Sequence, residues 1–205
     1  MIKNNAAIEF LAPLEVLPLP KWRRQLDVNV FGQIAMIQAL LPALFDSCGT
    51  IVNISSIGGK AAMAGYGPYA STKFALEGLS DALRRELEPF GVKVVVVEPG
   101  GVISPMSAQV RVKAEKIIHE MTDEHRNRYG GLMHAMISLA ETYIKNAVPA
   151  ENAGQIIAIT ITSKRPRTRY TIGRDAAMVR LMNWILPDRA LDRLVARMNR
   201  AHYPG

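Results

Sequence analysis

Cysteine is all but missing from this chain. Cys48 stands alone in 205 residues, so an intrachain disulfide framework is excluded. Histidine is scarce too, and His119, His125, His134 and His202 share no ligand spacing with each other or with Cys48. They read as surface residues, and no metal is expected. The opening "MIKNNAAIEFLAPLEVLPLP" lacks the continuous apolar core of a signal peptide, and no apolar run is read as reaching membrane-spanning length. A soluble, cytoplasmic protein is the expectation. No internal repeat or low-complexity segment interrupts the chain. With 49% hydrophobic and 21% charged residues, it should fold as a single domain over residues 1–205 with a substantial core.

Charge is balanced except at one end. Residues 163–205 hold ten Lys or Arg against three Asp or Glu, whereas the other 162 residues hold fifteen of each sign. Such a basic segment can meet nucleic acid, a membrane surface or an acidic partner. Its arginines are spaced rather than massed, and no stacking aromatics interleave with them. A solvated helix face is therefore favoured, nucleic acid is not expected, and membrane-surface contact is left open without being favoured.

The two clearest strands are "TIVNISS" (50–56) and "VKVVVVEPG" (92–100), both β-branched and closed by turn residues. The valine run does not alternate, as suits a strand covered on both faces of a parallel sheet. Helical patterns occupy 22–45 and 69–90, the second with an apolar stripe at Leu76, Leu79, Leu83 and Leu87. Pro68 fits a first helical position, and Pro89-Phe90-Gly91 closes the segment. Strands alternating with helices of this length predict βαβ units and a parallel α/β sheet. Residues 104–146 read as helices and loops rich in Met, His and charge. Met106, Met121, Met133 and Met136 are expected to pack a core in that region, where flexible apolar side chains suit a lipid-like substrate. A helix is expected at 150–162 and a short strand at 168–173. The basic C-terminal segment, about 174–205, divides into two amphipathic helical pieces at Pro187.

Within the second helix, "YASTK" sets Tyr69 four residues ahead of Lys73, hence on one helical face. An ammonium near a phenol is expected to pull the phenol's pKa down toward working pH, which would make it a proton donor and acceptor for a carbonyl or alcohol. Ser56, thirteen residues earlier at a strand end, lies where open α/β sheets bind their ligands.

Together with "NNAA" (4–7), "NVFG" (29–32), "IVNISSIGG" (51–59), "YASTK" (69–73) and "PGGVIS" (99–104), this order and spacing resemble the short-chain dehydrogenase/reductase family over nearly the whole chain. The resemblance implies a Rossmann-type sheet and reversible NAD- or NADP-dependent interconversion of a secondary alcohol and a ketone. Tyr69 would be the general acid/base, Lys73 its tuner and a ribose contact, and Ser56 the substrate-oxygen ligand. Asn29 would anchor a water relaying protons to Lys73. Asn4, the Ala6 backbone, Pro99, Gly100, Val102 and Ser104 would line the cofactor. The C-terminal "RPRTRYTIG" and "LPDRALDRL" resemble members acting on apolar alcohols and ketones, with a homo-oligomer formed through the two long helices. Two departures stand out: Ala7 replaces a family glycine, and the family's first βαβαβ half, with its Gly-rich pyrophosphate turn, has no counterpart in these residues. The latter raises a second reading, a non-catalytic remnant acting as an interaction or oligomerisation module. It also implies an open strand edge at residues 1–5 with apolar helix faces beside it.

Overall fold

The computed structural model describes residues 1–163 and 165–200. Among them the strands are β1 (Ile2–Asn4), β2 (Thr50–Ile54), β3 (Lys93–Pro99), β4 (Val102–Ile103), β5 (Val148–Pro149) and β6 (Arg169–Ile172). The α-helices are α1 (Leu19–Leu26), α2 (Gly32–Asp46), α3 (Gly67–Leu87), α4 (Pro105–Ala108), α5 (Val110–Glu120), α6 (Asp123–Lys145), α7 (Ala150–Thr162), α8 (Arg174–Ile185) and α9 (Asp188–Arg200). A sheet of order β1-β2-β3-β6, parallel throughout, carries the architecture.

Both faces of this sheet are covered, which explains the unbroken valines. Ile51 and Val94 face α2 and α3, packing with Ile2, Ile37, Leu44 and Leu87. Val52, Ile54, Val95 and Val97 face the other way, against Ala153, Ile156 and Ile157 of α7. The stripe read on α3 points inward as expected, with Leu76 and Leu87 buried and Leu79 and Leu83 half-buried. Pro68 starts that helix, and Gly91, at φ 72°, supplies the left-handed residue that ends its last turn. As expected, β1 is an edge: among the described residues it pairs with β2 alone.

The expectation that no apolar run reaches membrane-spanning length is corrected. Residues Leu19–Asp46 form one helical run, α1 and α2 joined through a π-helical turn at Asp27–Phe31, long and apolar enough by length and composition to cross a bilayer. It is nonetheless a packed helix of this fold, because Gln25, Asn29 and Gln33 are buried along it against the chain. The two-residue ladder β4–β5, Val102↔Val148 and Ile103↔Pro149, was not foreseen. So short a pairing carries no periodicity to read. It ties together the two ends of the helical excursion 104–147, reinforced by the Val148 amide donating to the Gly101 carbonyl at 2.9 Å.

On the α3-facing side of β3, at its carboxyl end, lies a buried charge cluster. Glu98 is fully buried, with its carboxylate 3.1 Å from Arg169 Nε and 3.6 Å from Lys60 Nζ. Arg169 also bridges Glu77 at 3.1 Å and Asp81 at 2.7 Å, so one guanidinium touches three carboxylates, and Lys60, Arg84 and Arg180 supply the remaining positive charge. Removing one partner of a buried pair leaves a charge uncompensated, at a cost of about 3–5 kcal/mol. Arg169→Met is therefore expected to lower the stability measured by urea unfolding by about 3 kcal/mol. Arg84→Ala, which removes a partly solvated partner of Asp81, should cost under about 1 kcal/mol. Equal effects would contradict the account.

Candidate active site

The carboxyl ends of β1 and β2 open beside the N-terminal turns of α3, and three polar side chains of the preceding helix determine what lies there. Gln25, Asn29 and Gln33 recur every four residues, hence along one face. Gln25 Oε1 accepts from Phe10 N at 2.7 Å, and Asn29 Oδ1 accepts from Ile8 N at 2.8 Å. Asn29 Nδ2 donates to Ile8 O at 2.9 Å, and Gln33 Nε2 donates to Ala6 O at 3.3 Å. Alternate residues of the segment after β1 are thus held by successive helical turns. Four helical residues rise about 6 Å and two extended residues about 6.6 Å, so the two repeats nearly match. The π-helical turn falls where Asn29 sits, and such turns recur at functional sites.

Asn29 Nδ2 also donates to Thr72 Oγ1 at 3.1 Å, and the Thr72 hydroxyl donates to Tyr69 O at 2.8 Å. This joins the clamp to the first turn of α3, where Tyr69 and Lys73 lie. The Tyr69 phenol lies near the Ser56 hydroxyl, whose proximity acts to lower its pKa. Ser56 itself begins a short 3-10 turn, accepting from Gly58 N at 3.1 Å and donating to Pro99 O at 3.4 Å. The tyrosine ring lies against that turn: a Cβ on Gly58 would stand 3.3 Å from Tyr69 Cε1. At Gly59 a Cβ would approach Ser55 Oγ to 2.8 Å, so this close passage needs glycine. Lys73 Nζ donates to Ile54 O at 2.9 Å and stands 5.6 Å from the Tyr69 ring centroid.

Electrostatically the site departs from the simple pair logic. Burial pushes the Tyr69 phenol up, the nearby Glu9 carboxylate pushes it further, and the Ser56 hydroxyl only partly opposes them. The expected lowering by Lys73 is therefore not found. Burial depresses Lys73 itself to about 8, although Glu9 and Glu77 hold it up. Two desolvated groups of opposite charge type both lean toward neutrality.

The remaining candidates divide. Asn4 is buried and turned inward, donating to Asn53 Oδ1 at 2.8 Å, while Asn53 Nδ2 donates to Ser80 Oγ at 2.8 Å. Ala6 is exposed, with its carbonyl taken by Gln33. Pro99, Gly100 and Val102 are half-buried at the end of β3 and in β4. Ser104 caps α4 in a reciprocal arrangement with Ser107, so its hydroxyl serves a helix end. Met121, Met133 and Met136 pack with Leu11, Leu17 and Ile117 into a core beside Tyr66 and Tyr69, as expected, whereas Met106 is half-buried and lies outside that core. His119 and His134 are exposed and His125 is half-buried, while His202 lies outside the described residues.

Sequence reasoning missed three features. The stripe Gln25, Asn29, Gln33 was legible as polar residues at a four-residue spacing, but only Asn29 was singled out. Asp175 Oδ2 accepts from Gly101 N at 2.8 Å, and a Cβ on Gly100 would come within 2.3 Å of that carboxylate. Nothing in the sequence links residues so far apart. The third is Glu9, half-buried between clamped Ile8 and Phe10 and lining a small cavity with Leu11, Met106, Val110 and Lys113. Burial raises its pKa from 4.5 to about 7, with Lys113 and then Lys73 opposing.

That shift has a sign. A carboxyl whose folded pKa is raised favours the fold below its unfolded value and disfavours it as pH climbs through the folded one. Glu9→Gln should therefore leave stability unchanged near pH 4. It should gain progressively between about pH 4.5 and 7 and be more stable by on the order of 2 kcal/mol above that. Denaturant unfolding across pH checks this, and a pH-independent gain would contradict it.

A profile of the short chain dehydrogenase family matches residues 1–115. The chain is 31% identical to an NADPH-dependent 3-dehydrocapnine reductase of Ornithobacterium rhinotracheale, over 95% of this chain and 68% of that protein. It is 35% identical to a mitochondrial D-beta-hydroxybutyrate dehydrogenase of Rattus norvegicus, over 82% of this chain and 50% of that one. A crystal structure of a short-chain dehydrogenase from Streptomyces avermitilis superposes with a TM-score of 0.68 at 25% identity, covering 97% of this chain and 66% of its own. The chain thus spans half to about two thirds of the length of the relatives it matches. With more than half of its residues matching the profile, and the sheet, helices and Ser56–Tyr69–Lys73 grouping in place, the chain belongs to the short-chain dehydrogenase family.

Proposed function

We propose that this chain carries the proton-transfer half of an NAD- or NADP-dependent oxidoreductase that interconverts a secondary alcohol and a ketone on an apolar substrate. The observation supporting it most strongly is the convergence of three side chains: the Tyr69 ring lies against the turn begun by Ser56, with Lys73 Nζ 5.6 Å from the ring centroid. The donor set suits a nicotinamide riboside: Lys73 has three N–H donors and spends one on Ile54 O, leaving two for ribose hydroxyls. When bound, the nicotinamide supplies or accepts the hydride, which no side chain can carry.

In reduction, Ser56 donates a hydrogen bond to the substrate carbonyl oxygen and holds it against Tyr69. The phenol passes its proton to that oxygen as negative charge develops there, and fixed donors stabilise this charge. The resulting phenolate faces the Lys73 ammonium, which offsets its charge. In oxidation the same groups run in reverse, with Tyr69 taking the alcohol proton. The methionine-rich packing beside Tyr66 and Tyr69 suits an apolar substrate body. Among the relatives, a retinol dehydrogenase of Mus musculus is 33% identical over 94% of this chain.

A second reading, an interaction module without turnover, draws on the outward faces of the two long helices. Phe31, Met36 and Leu40 on one and Phe74 on the other are exposed, which favours self-association on this side. Both readings allow a homo-oligomer, and catalysis separates them.

Two measurements follow. Tyr69→Phe should remove ketone reduction by at least about a hundredfold while leaving dinucleotide binding intact, as read by steady-state rates and calorimetry. Turnover that survives Tyr69→Phe would place the proton donor elsewhere, and no turnover with either dinucleotide would favour the module. Replacing Phe31 and Phe74 together by Asp should shift the sedimentation coefficient toward that of a monomer. An unchanged distribution would place the association surface elsewhere.

A further inference from the structure

The turn that follows β3 runs past the end of the sheet, yet its backbone is firmly tied. The Gly100 amide still donates to Ile172 O at 2.8 Å, as the last rung beside β6. One residue further the ladder has no acceptor to offer, because Gly173, at φ 99°, turns the chain out of the sheet and into α8. The Asp175 side chain takes over, its Oδ2 accepting from the Gly101 amide at 2.8 Å. The Gly101 carbonyl accepts from the Val148 amide at 2.9 Å, and the Pro99 carbonyl accepts from the Ser56 hydroxyl at 3.4 Å. The turn is thus held from β6, α8, β5 and the segment after β2. The carboxylate fits between glycines, since a Cβ on Gly100 or Gly173 would overlap one of its oxygens. Such a tether matters for a half-buried amide, which is costly to leave unbonded.

We propose that Asp175 is a positioning residue: its carboxylate fixes the turn from Pro99 to Gly101 and, through the Pro99 carbonyl, the direction of the Ser56 hydroxyl. This rests on the oxidoreductase reading above, in which Ser56 meets the substrate oxygen, and gives that site a support from the far end of the chain. A carboxylate accepting from a backbone amide is a charge-assisted hydrogen bond, among the stronger single contacts open to an irregular segment. Ser56 also accepts from the Gly58 amide, so the Pro99 carbonyl is what takes its proton and orients it. A serine hydroxyl rotates to suit its partners, and a turn that drifts away frees it to point elsewhere. Pro99 and Gly100, which the family pattern sets against the cofactor, lie in the same turn. Dinucleotide binding therefore depends on the same tether.

Amide hydrogen exchange of the 205-residue chain, read by NMR without any dinucleotide, tests the tether. In the parent, Gly101 should be protected about as strongly as Gly100, although it lies beyond the ladder. Asp175→Ala should speed Gly101 exchange by at least about tenfold, the scale of one charge-assisted bond, and leave Val95 and Val96 in β3 unchanged. Asp175→Asn keeps an acceptor oxygen and should restore most of the protection. Gly100→Ala reaches the same contact from the other side, so the result does not depend on how one variant folds. It should speed Gly101 exchange in the parent and add little in Asp175→Ala, since both act on one bond. An unprotected Gly101 in the parent, an equal loss at Val95 and Val96, or additive effects would overturn the proposal. With substrate and saturating dinucleotide, Asp175→Ala should lower kcat by about tenfold or more, and Asp175→Asn should recover it. Tyr69-dependent turnover that Asp175→Ala leaves unmoved sinks the positioning role and leaves the oxidoreductase reading standing. Gly101 protection that depends on Asp175, in a chain without turnover, sinks that reading and leaves the tether.

Discussion

The hydrogen bonds between the amide face of the long N-terminal helix and the segment after β1 are the constraint on which the site depends. A helix satisfies its own backbone and offers nothing to an adjacent irregular chain except side chains. Gln25, Asn29 and Gln33 make that offer at the one spacing that keeps pace with alternate residues of a neighbouring segment. They fix Ala6, Ile8 and Phe10, and through Thr72 they also fix the turn of α3 that carries Tyr69. The segment from Ala6 to Phe10 and the turn that carries Tyr69 are therefore located relative to each other by one set of buried amides.

Buried amides are not free of cost. Gln25 uses its oxygen and leaves Nε2 without a protein partner, and Gln33 uses its nitrogen and leaves Oε1. Each unsatisfied group opposes folding by about 1–3 kcal/mol. An apolar residue at either position would avoid that cost, but it would leave the amide of Phe10 or the carbonyl of Ala6 unbonded in turn. The Asn4–Asn53–Ser80 chain shows the better-satisfied version of the same device, crossing from the edge strand to α3 and holding the strand register. The Glu98 cluster performs a comparable task with charge, joining β3, β6 and α3 through Arg169.

Inside the cleft, desolvation governs protonation more than pairing does. Glu9 and Tyr69 are driven up and Lys73 down, each with burial as the leading cause. A site in that condition responds strongly to any charged group placed within it, because little water remains to screen the change. The phenol's working acidity is then determined by what it faces when loaded, and the sequence spacing of Tyr69 and Lys73 does not determine it alone.

Much of this was legible in the chain itself. The valine run announced a strand buried on both faces, the leucine stripe announced the inner face of α3, and the motifs from Asn4 to Ser104 pointed to the family. Those signals are local or occur in a fixed order, so they survive being read one residue at a time. What escaped depends on contacts between distant segments: Asp175 reaching the amide of Gly101, Arg169 gathering three carboxylates, and β4 closing on β5 across the helical excursion. Glu9 belongs to this group as well. Its sequence neighbours are apolar and say nothing of Tyr69 or Lys73, sixty residues further on. The sequence by itself determined which residues could do the chemistry. The tertiary structure decided which of them share one dry cleft, because enclosure and charge proximity exist only once the segments are packed together.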